Sequence, residues 1–440
     1  MTTTRGLFLA SLLAASLASP PLRAQTNGCN SSYSRFGLGT MNEQSQGSNR
    51  AMGGVAQGIA SGQKVNMLNP ASYASIDSLT FIFDVGMGVQ YGHFKQGGST
   101  TNARNTNLEY VNAGFHIARR MGMSFGFVPY STIGYNFTSD TRVGSNYTSS
   151  QTITSETTYY GNGGLHQMYL GIGWTPFAKL SVGANISYIW GDFNHSLAQT
   201  FYEGSTTSSS YSTLNSEWTS DVRTYKLDIS VQYPVKLTAQ DWLTLGATLS
   251  VGHGIGSEVQ MIRYTSLKDT IESTCKNAFD LPYTVSAGAA WQHKGKLIVA
   301  ADYTFEKWEG CRIPVSRSTT TESEIEVRTD QYLNRHRVNV GAEYTPNPLA
   351  RNYTPRIRYR VGAYFASPYT KVNGENGPQE YSVTAGIALP LSNAGKSVVN
   401  VSLQWMKRRP STAGMISENY FMAHLGVTFN ERWFMKWKFN

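Results

Sequence analysis

From Leu79 to Tyr91 every second residue is large and apolar: Leu79, Phe81, Phe83, Val85, Met87, Val89 and Tyr91. The residues between them are Thr80, Asp84, Gly86, Gly88 and Gln90, with Ile82 the one large apolar exception. Successive side chains of a strand point to opposite faces, so this segment has one greasy face and one polar face. The same alternation returns over 180–190, 225–233, 243–251, 283–291, 297–305, 338–344, 357–365, 381–389 and 421–429. Counting such segments from Leu79 predicts about 14 antiparallel strands, an even number that brings both chain ends to one side.

A period of two suits a soluble sandwich and a membrane barrel equally, and the connections separate them. The links at 119–122, 175–179 and 293–296 are short, whereas 139–159, 202–217, 266–279 and 310–330 read as long polar loops rich in Ser and Thr. Tight turns at one end and long loops at the other mark a transmembrane barrel. Asp228, Asp302, Glu343, Arg358 and Arg360 on the polar face would be costly in a dry core and suit a wet or networked lumen. Trp174, Trp190, Trp242, Trp291, Trp308 and Trp405 fall near strand ends, where interfacial aromatic girdles lie. The fold class predicted is an all-β transmembrane antiparallel barrel over 79–430. Its last strand is expected at 420–429, and 431–440 forms a tail that itself alternates and either prolongs the barrel or carries an assembly signal.

Residues 1–24 have the layout of a secretory signal: Arg5, an apolar run from Leu7 to Ala18, then Pro20-Pro21 and a small residue at Ala24. That run is too short to cross a bilayer of roughly 30 Å as a helix, and no later segment reaches the ~20 apolar residues needed. An exported barrel of this kind belongs in the outer membrane of a Gram-negative cell, with its lipid and glycolipid as partners. Residues 25–78 are small, glycine-rich and lack the alternation, which predicts a hatch filling the lumen that such a barrel leaves open.

The formal charge is +9, yet the cations are scattered over alternate strand positions and form no nucleic-acid footprint. Their expected partners are lumenal carboxylates and acidic glycolipid groups. The chain has three cysteines in a disulfide-permitting compartment. Cys275 and Cys311 are expected to bridge two external loops, with three free thiols as the alternative. No Cys or His pair has zinc-site spacing, and there is no Gly-x-Ser-x-Gly elbow, His-Glu-x-x-His pair or phosphate-binding loop. Neither an enzyme, a metal site nor a cofactor is expected.

Several motifs resemble the FadL family of outer-membrane channels for hydrophobic compounds. They are Asn69-Pro70-Ala71, then Leu281-Pro282-Tyr283-Thr284, Ala301-Asp302-Tyr303 with Trp308, and the run from Arg337 to Pro346. Tyr33 to Gly39 and Phe429 to Phe434 look like a branch of that family found in Bacteroidota. The resemblance implies a fourteen-stranded barrel with an N-terminal hatch and a hydrophobic ligand taken from outside. Release would be sideways at a kinked third strand, where Pro129 falls; an ordinary edge or bulge proline is the alternative there. It also implies Asn69, Pro70 and Ala71 as hatch and gate residues, to which the compact glycine-rich patch of the hatch adds Met52, Gly53 and Gly54; a purely structural turn is the alternative for Asn69 to Ala71. Residues 200–220 depart from the family in having no amphipathic helical stripe for a greasy outer groove. The leading expectation is transport of a small hydrophobic compound, fatty-acid-like or aromatic, across the outer membrane with lateral release; the alternative is a non-transporting scaffold or shuttle subunit of an outer-membrane secretion or assembly complex. An apolar inner face beside the hatch favours the first, and a polar sealed interior the second.

Overall fold

The structure, a computed structural model, describes residues 29–145, 152–177, 179–203, 210–265, 270–318, 323–391 and 397–432. The expected leader and residues 433–440 of the tail lie outside these. Fourteen strands form the wall. They are β1 (Thr80–Gln96), β2 (Ser99–Ala118), β3 (Met121–Ser145), β4 (Thr152–Phe177), β5 (Leu180–Glu203), β6 (Ser210–Lys236) and β7 (Asp241–Ser250). There follow β8 (Tyr283–His293), β9 (Leu297–Lys307), β10 (Arg335–Tyr344), β11 (Arg358–Ala366), β12 (Gln379–Pro390), β13 (Val398–Arg409) and β14 (Ser417–Arg432). Each pairs antiparallel with the next, and β14 returns to β1 in unbroken register from Thr80↔Arg432 to Lys95↔Ser417. Closure satisfies the backbone polar groups that a bilayer cannot.

The alternation read in β1 is the alternation observed: Phe83, Met87, Val89 and Tyr91 face out and are 37–55% exposed, while Ile82 is fully buried inside. Leu170, Ile186, Tyr225, Val285, Leu403 and Phe421 extend the outward apolar band, which a lipid environment covers. Asp228, Asp302, Glu343 and Arg360 are buried on the inner face, as expected of lumenal groups.

Three expectations are corrected. Residues 139–145, 152–159, 202–203 and 210–217 are strand, because β3 to β6 run for 25, 26, 24 and 27 residues. A barrel strand needs only ~9–11 residues to span the membrane, so more than half of each stands beyond it. Threonine-rich polar segments hold this shape because each pairs with a neighbour, as in Asn194↔Thr219. A hairpin of Ser257–Thr265 and Thr270–Lys276 adds to the outer half of β6, and a second forms from Ile313–Ser318 and Ser323–Arg328. Trp308 is not part of a girdle. It lies beyond the end of β9 and is buried under these hairpins with Leu38, Ile133, Leu165 and Phe193, its indole N–H donating to Glu306 at 2.6 Å. Trp174, Trp242 and Trp405 do face outward. Finally, the bridge expected between Cys275 and Cys311 is absent: Cys29, Cys275 and Cys311 are free thiols. Cys311 and Cys275 pack in and against the same outer apolar cluster, which the packing of Trp308, Tyr332 and Tyr369 already holds.

Candidate functional site

The segment before β1 lies inside the wall, and its expected gate residues are tied to the wall at two places. At the first, Asn69 caps a short 3-10 helix, Pro70–Ser75, with its side-chain oxygen accepting the Ala71 N–H at 3.2 Å. Proline at the first helical position loses no needed donor. The Asn69 amide donates to the Gln57 carbonyl at 2.9 Å and to Val231 of β6 at 3.4 Å, and the Ala71 N–H also reaches Ser230 Oγ at 2.8 Å. The Asp302 carboxylate of β9 accepts the N–H groups of Ala56 and Gln57 at 2.5 and 2.9 Å. Contact is so close that a Cβ on Gly246 would sit 1.8 Å from the Gln57 carbonyl oxygen.

The second place is 52–54. Gly53, at φ +70°, donates its N–H to Thr384 Oγ1 at 3.0 Å, and the Asn339 side-chain amide donates to its carbonyl. Met52 is buried beside Val55, Ala290 and Ala300. Thus Asn69 to Ala71 sit on β5 and β6, while Met52 to Gly54 sit on β10 to β12; the six residues are two anchors, not one cluster. Pro282, Thr284, Asp302 and Trp308 do come together, around a lumenal pocket of about 170 Å³. Leu281 is buried in the outer cluster above it.

The wall has a split between β2 and β3. Their pairing runs only from Ala118↔Met121 to Val111↔Phe127. Above that, β2 continues with β1 and β3 with β4. Pro129 stands just past the split, and the β3 register skips between Pro129 and Ser131. Proline lacks an N–H for the ladder and favours such a break. The N-terminal segment occupies the vacated edge. Thr40–Met41 pairs with Thr132–Ser131, the Asn42 N–H donates to Tyr130 at 3.1 Å, and the Gly134 N–H donates to Ser34 Oγ at 3.1 Å. On the other side Asn30 donates to Asn105 of β2 at 3.0 Å. A cavity of about 580 Å³ lies behind, touching Leu108, Phe127, Pro129 and Met422.

Charged side chains line another part of that cavity or lie just behind it. Arg335 contacts Glu306 at 3.6 Å and Glu380 at 3.1 Å; Arg408 contacts Glu380 at 2.9 Å and Glu418 at 3.1 Å. Glu418 in turn accepts from Ser31 at 2.8 Å and Tyr420 at 2.7 Å. Glu109 binds Arg50 and His424, each at 2.5 Å, and Arg337 pairs with Glu43 of the N-terminal segment. Burial alone would raise the Glu43 carboxyl, but Arg337 and Arg50 outweigh it and hold it at about 2. Lower down, Glu343 joins Arg360 at 2.6 Å and Lys64 at 3.2 Å. Alternate-position charges in the sequence signalled inward-facing ions; which carboxylate each cation meets depends on strand stagger and was not readable. Glu43, Arg50, Glu109, Arg335, Arg337, Glu380 and Arg408 were missed as site residues for that reason.

Nearer the outside, a second cavity of about 330 Å³ is bounded by Tyr135, Tyr159, Leu197, Leu214, Trp218 and Ile313. Arg35 lies 4.1 Å over the Tyr159 ring, and Tyr135 OH is 2.6 Å from His195 Nδ1. No group of three or more metal-ligating side chains occurs among the described residues.

The sequence matches none of the curated proteins. Among solved structures, the Pseudomonas putida toluene transporter TodX is similar at 16% identity and TM-score 0.57, covering 90% of this chain and 99% of its own. The Ralstonia pickettii toluene transporter TbuX is similar at 15% identity and TM-score 0.57, with 90% and 99% covered. A Pseudomonas aeruginosa FadL homologue is similar at 11% identity and TM-score 0.60, with 89% and 99% covered. The fold is therefore that of FadL-type outer-membrane channels for hydrophobic compounds. A family model described as BamG matches residues 7–440. With the closed barrel, the N-terminal segment within it and a match over nearly its whole length, the chain belongs to the BamG family.

Proposed function

We propose that this protein is a non-transporting subunit of an outer-membrane protein assembly or secretion complex, in which the channel fold serves as a rigid frame for contacts with other chains. The observation that carries this reading is the ion-paired lumen. A neutral hydrocarbon entering beside Arg335, Arg337, Glu380 and Arg408 would displace water from whatever faces of these ions their pairs leave open, and taking an ion out of water costs several kcal/mol. The tall paired strands of β3 to β6 and the two outer hairpins supply the contact surface, with Tyr160 on the face opposite the cavity as one side chain that gives rigid area at low entropy cost. The test is purification of the tagged full chain from native membranes in mild detergent. Companion outer-membrane chains in fixed stoichiometry are expected; a protein recovered only as a monomer counts against the reading.

The split at Pro129 favours a second reading, transport of a small hydrophobic compound with release between β2 and β3. The outer aromatic cavity would receive the compound and the N-terminal segment would act as hatch and gate. Uptake of fatty acids or aromatic hydrocarbons that falls on deletion of the protein, and is not restored by a variant with the split closed by a disulfide, supports this reading.

A further inference from the structure

We propose that the short-turn rim at the ends of β4 to β7 holds the phosphodiester headgroup of an anionic phospholipid from the inner leaflet. Lys179, in the turn between β4 and β5, and Lys236, closing β6, each bring their ammonium to 5.8 Å from the ring of Trp242 at the start of β7. Both lysines are exposed. The carboxylate of the neighbouring turn, Asp241, is already engaged, accepting from Thr238 Oγ1 at 2.5 Å and facing His293 Nδ1 at 2.7 Å. Two cations therefore converge on one indole with no ion pair of their own shown, beside a band that faces lipid: Trp174, Phe177, Tyr233 and Leu237 project outward around them, Phe177 at 72% exposure.

The arrangement matches a phospholipid in both halves. The ammonium groups sit at headgroup height, where long cationic side chains settle, and the aromatic and aliphatic side chains lie where acyl chains run. The rim around the site is basic as well, with Arg119, Arg120, Lys294 and Lys296 all exposed. At the outer end, by contrast, exposed cations such as Arg223 and Arg328 are paired with Asp221 and Asp330. Short turns mark the periplasmic end of a barrel, so the lipid is a phospholipid and not the surface glycolipid.

The experiment places the full chain in nanodiscs of equimolar phosphatidylglycerol and phosphatidylcholine and measures the lipids retained on release by native mass spectrometry. The wild type is expected to retain phosphatidylglycerol preferentially. Lys179→Gln with Lys236→Gln is expected to lower that preference by a factor of roughly thirty, since each surface cation contributes about 1 kcal/mol toward an anionic headgroup. Lys294→Gln with Lys296→Gln, the same charge loss one turn away, is expected to keep most of it, and Lys179→Arg with Lys236→Arg to preserve it. Heat-modifiable migration on gels verifies that each barrel is folded. No preference in the wild type, or equal loss in both glutamine pairs, overturns the proposal.

Discussion

Glu43 shows how much of the interior depends on single charges. It belongs to the N-terminal segment, and its carboxylate meets Arg337 on β10. Replacing it, Glu43→Gln, leaves a half-buried guanidinium without its paired anion, a loss of about 1–3 kcal/mol. Faster hydrogen exchange over 40–60 in that variant, with the wall strands unchanged, is the expected readout. The carboxyl is held at about 2 against an ordinary value of 4.5. A depressed acid contributes stability that is fully present above its unfolded pKa and lost as pH falls toward the folded one. The wild type should therefore lose protection of this segment between about pH 4.5 and 2, and Glu43→Gln should flatten that dependence. Gly246 makes the steric counterpart. Gly246→Val would drive a side chain into the Gln57 carbonyl, whereas Gly256→Ala meets nothing within 4 Å. Limited proteolysis should cut the N-terminal segment of the first variant at least several-fold faster, and of the second at the wild-type rate.

At the scale of elements, the wall was legible because each strand states its own two faces. Phe83, Met87 and Val89 could only be one side of a strand, and the strand count followed. The height of β3 to β6 was not legible, since Ser- and Thr-rich segments read as loops when their partners are unknown; pairing across Asn194 and Thr219 is a nonlocal fact. The anchors at Asn69 and Gly53 were found as motifs, and their separation onto opposite stretches of wall appeared only with the barrel closed. Pro129 was readable as a break, but not the repair beside it by Ser34, Thr40 and Asn42. Ser34→Ala tests that repair. It removes the acceptor of the Gly134 N–H, worth about 1 kcal/mol, and exchange at Gly134 should rise by roughly fivefold with little change at residues paired to β4 alone.

The molecule as a whole combines a channel's architecture with an interior in which arginines and carboxylates answer one another from β9 round to β14. On the proposed reading these paired ions disfavour a hydrocarbon in the lumen, and the tall outer strands serve as a surface for other chains. Purified protein in a planar bilayer should accordingly show no steady conductance, and Glu43→Gln should give at most brief openings. The most direct measurement compares a depletion strain with its parent for two quantities at once, uptake of fatty acids and aromatic hydrocarbons and the amount of newly assembled or exported outer-membrane protein. Unchanged uptake with a fall in assembled or exported protein is expected; lost uptake with an unchanged outer-membrane protein profile would contradict the assignment.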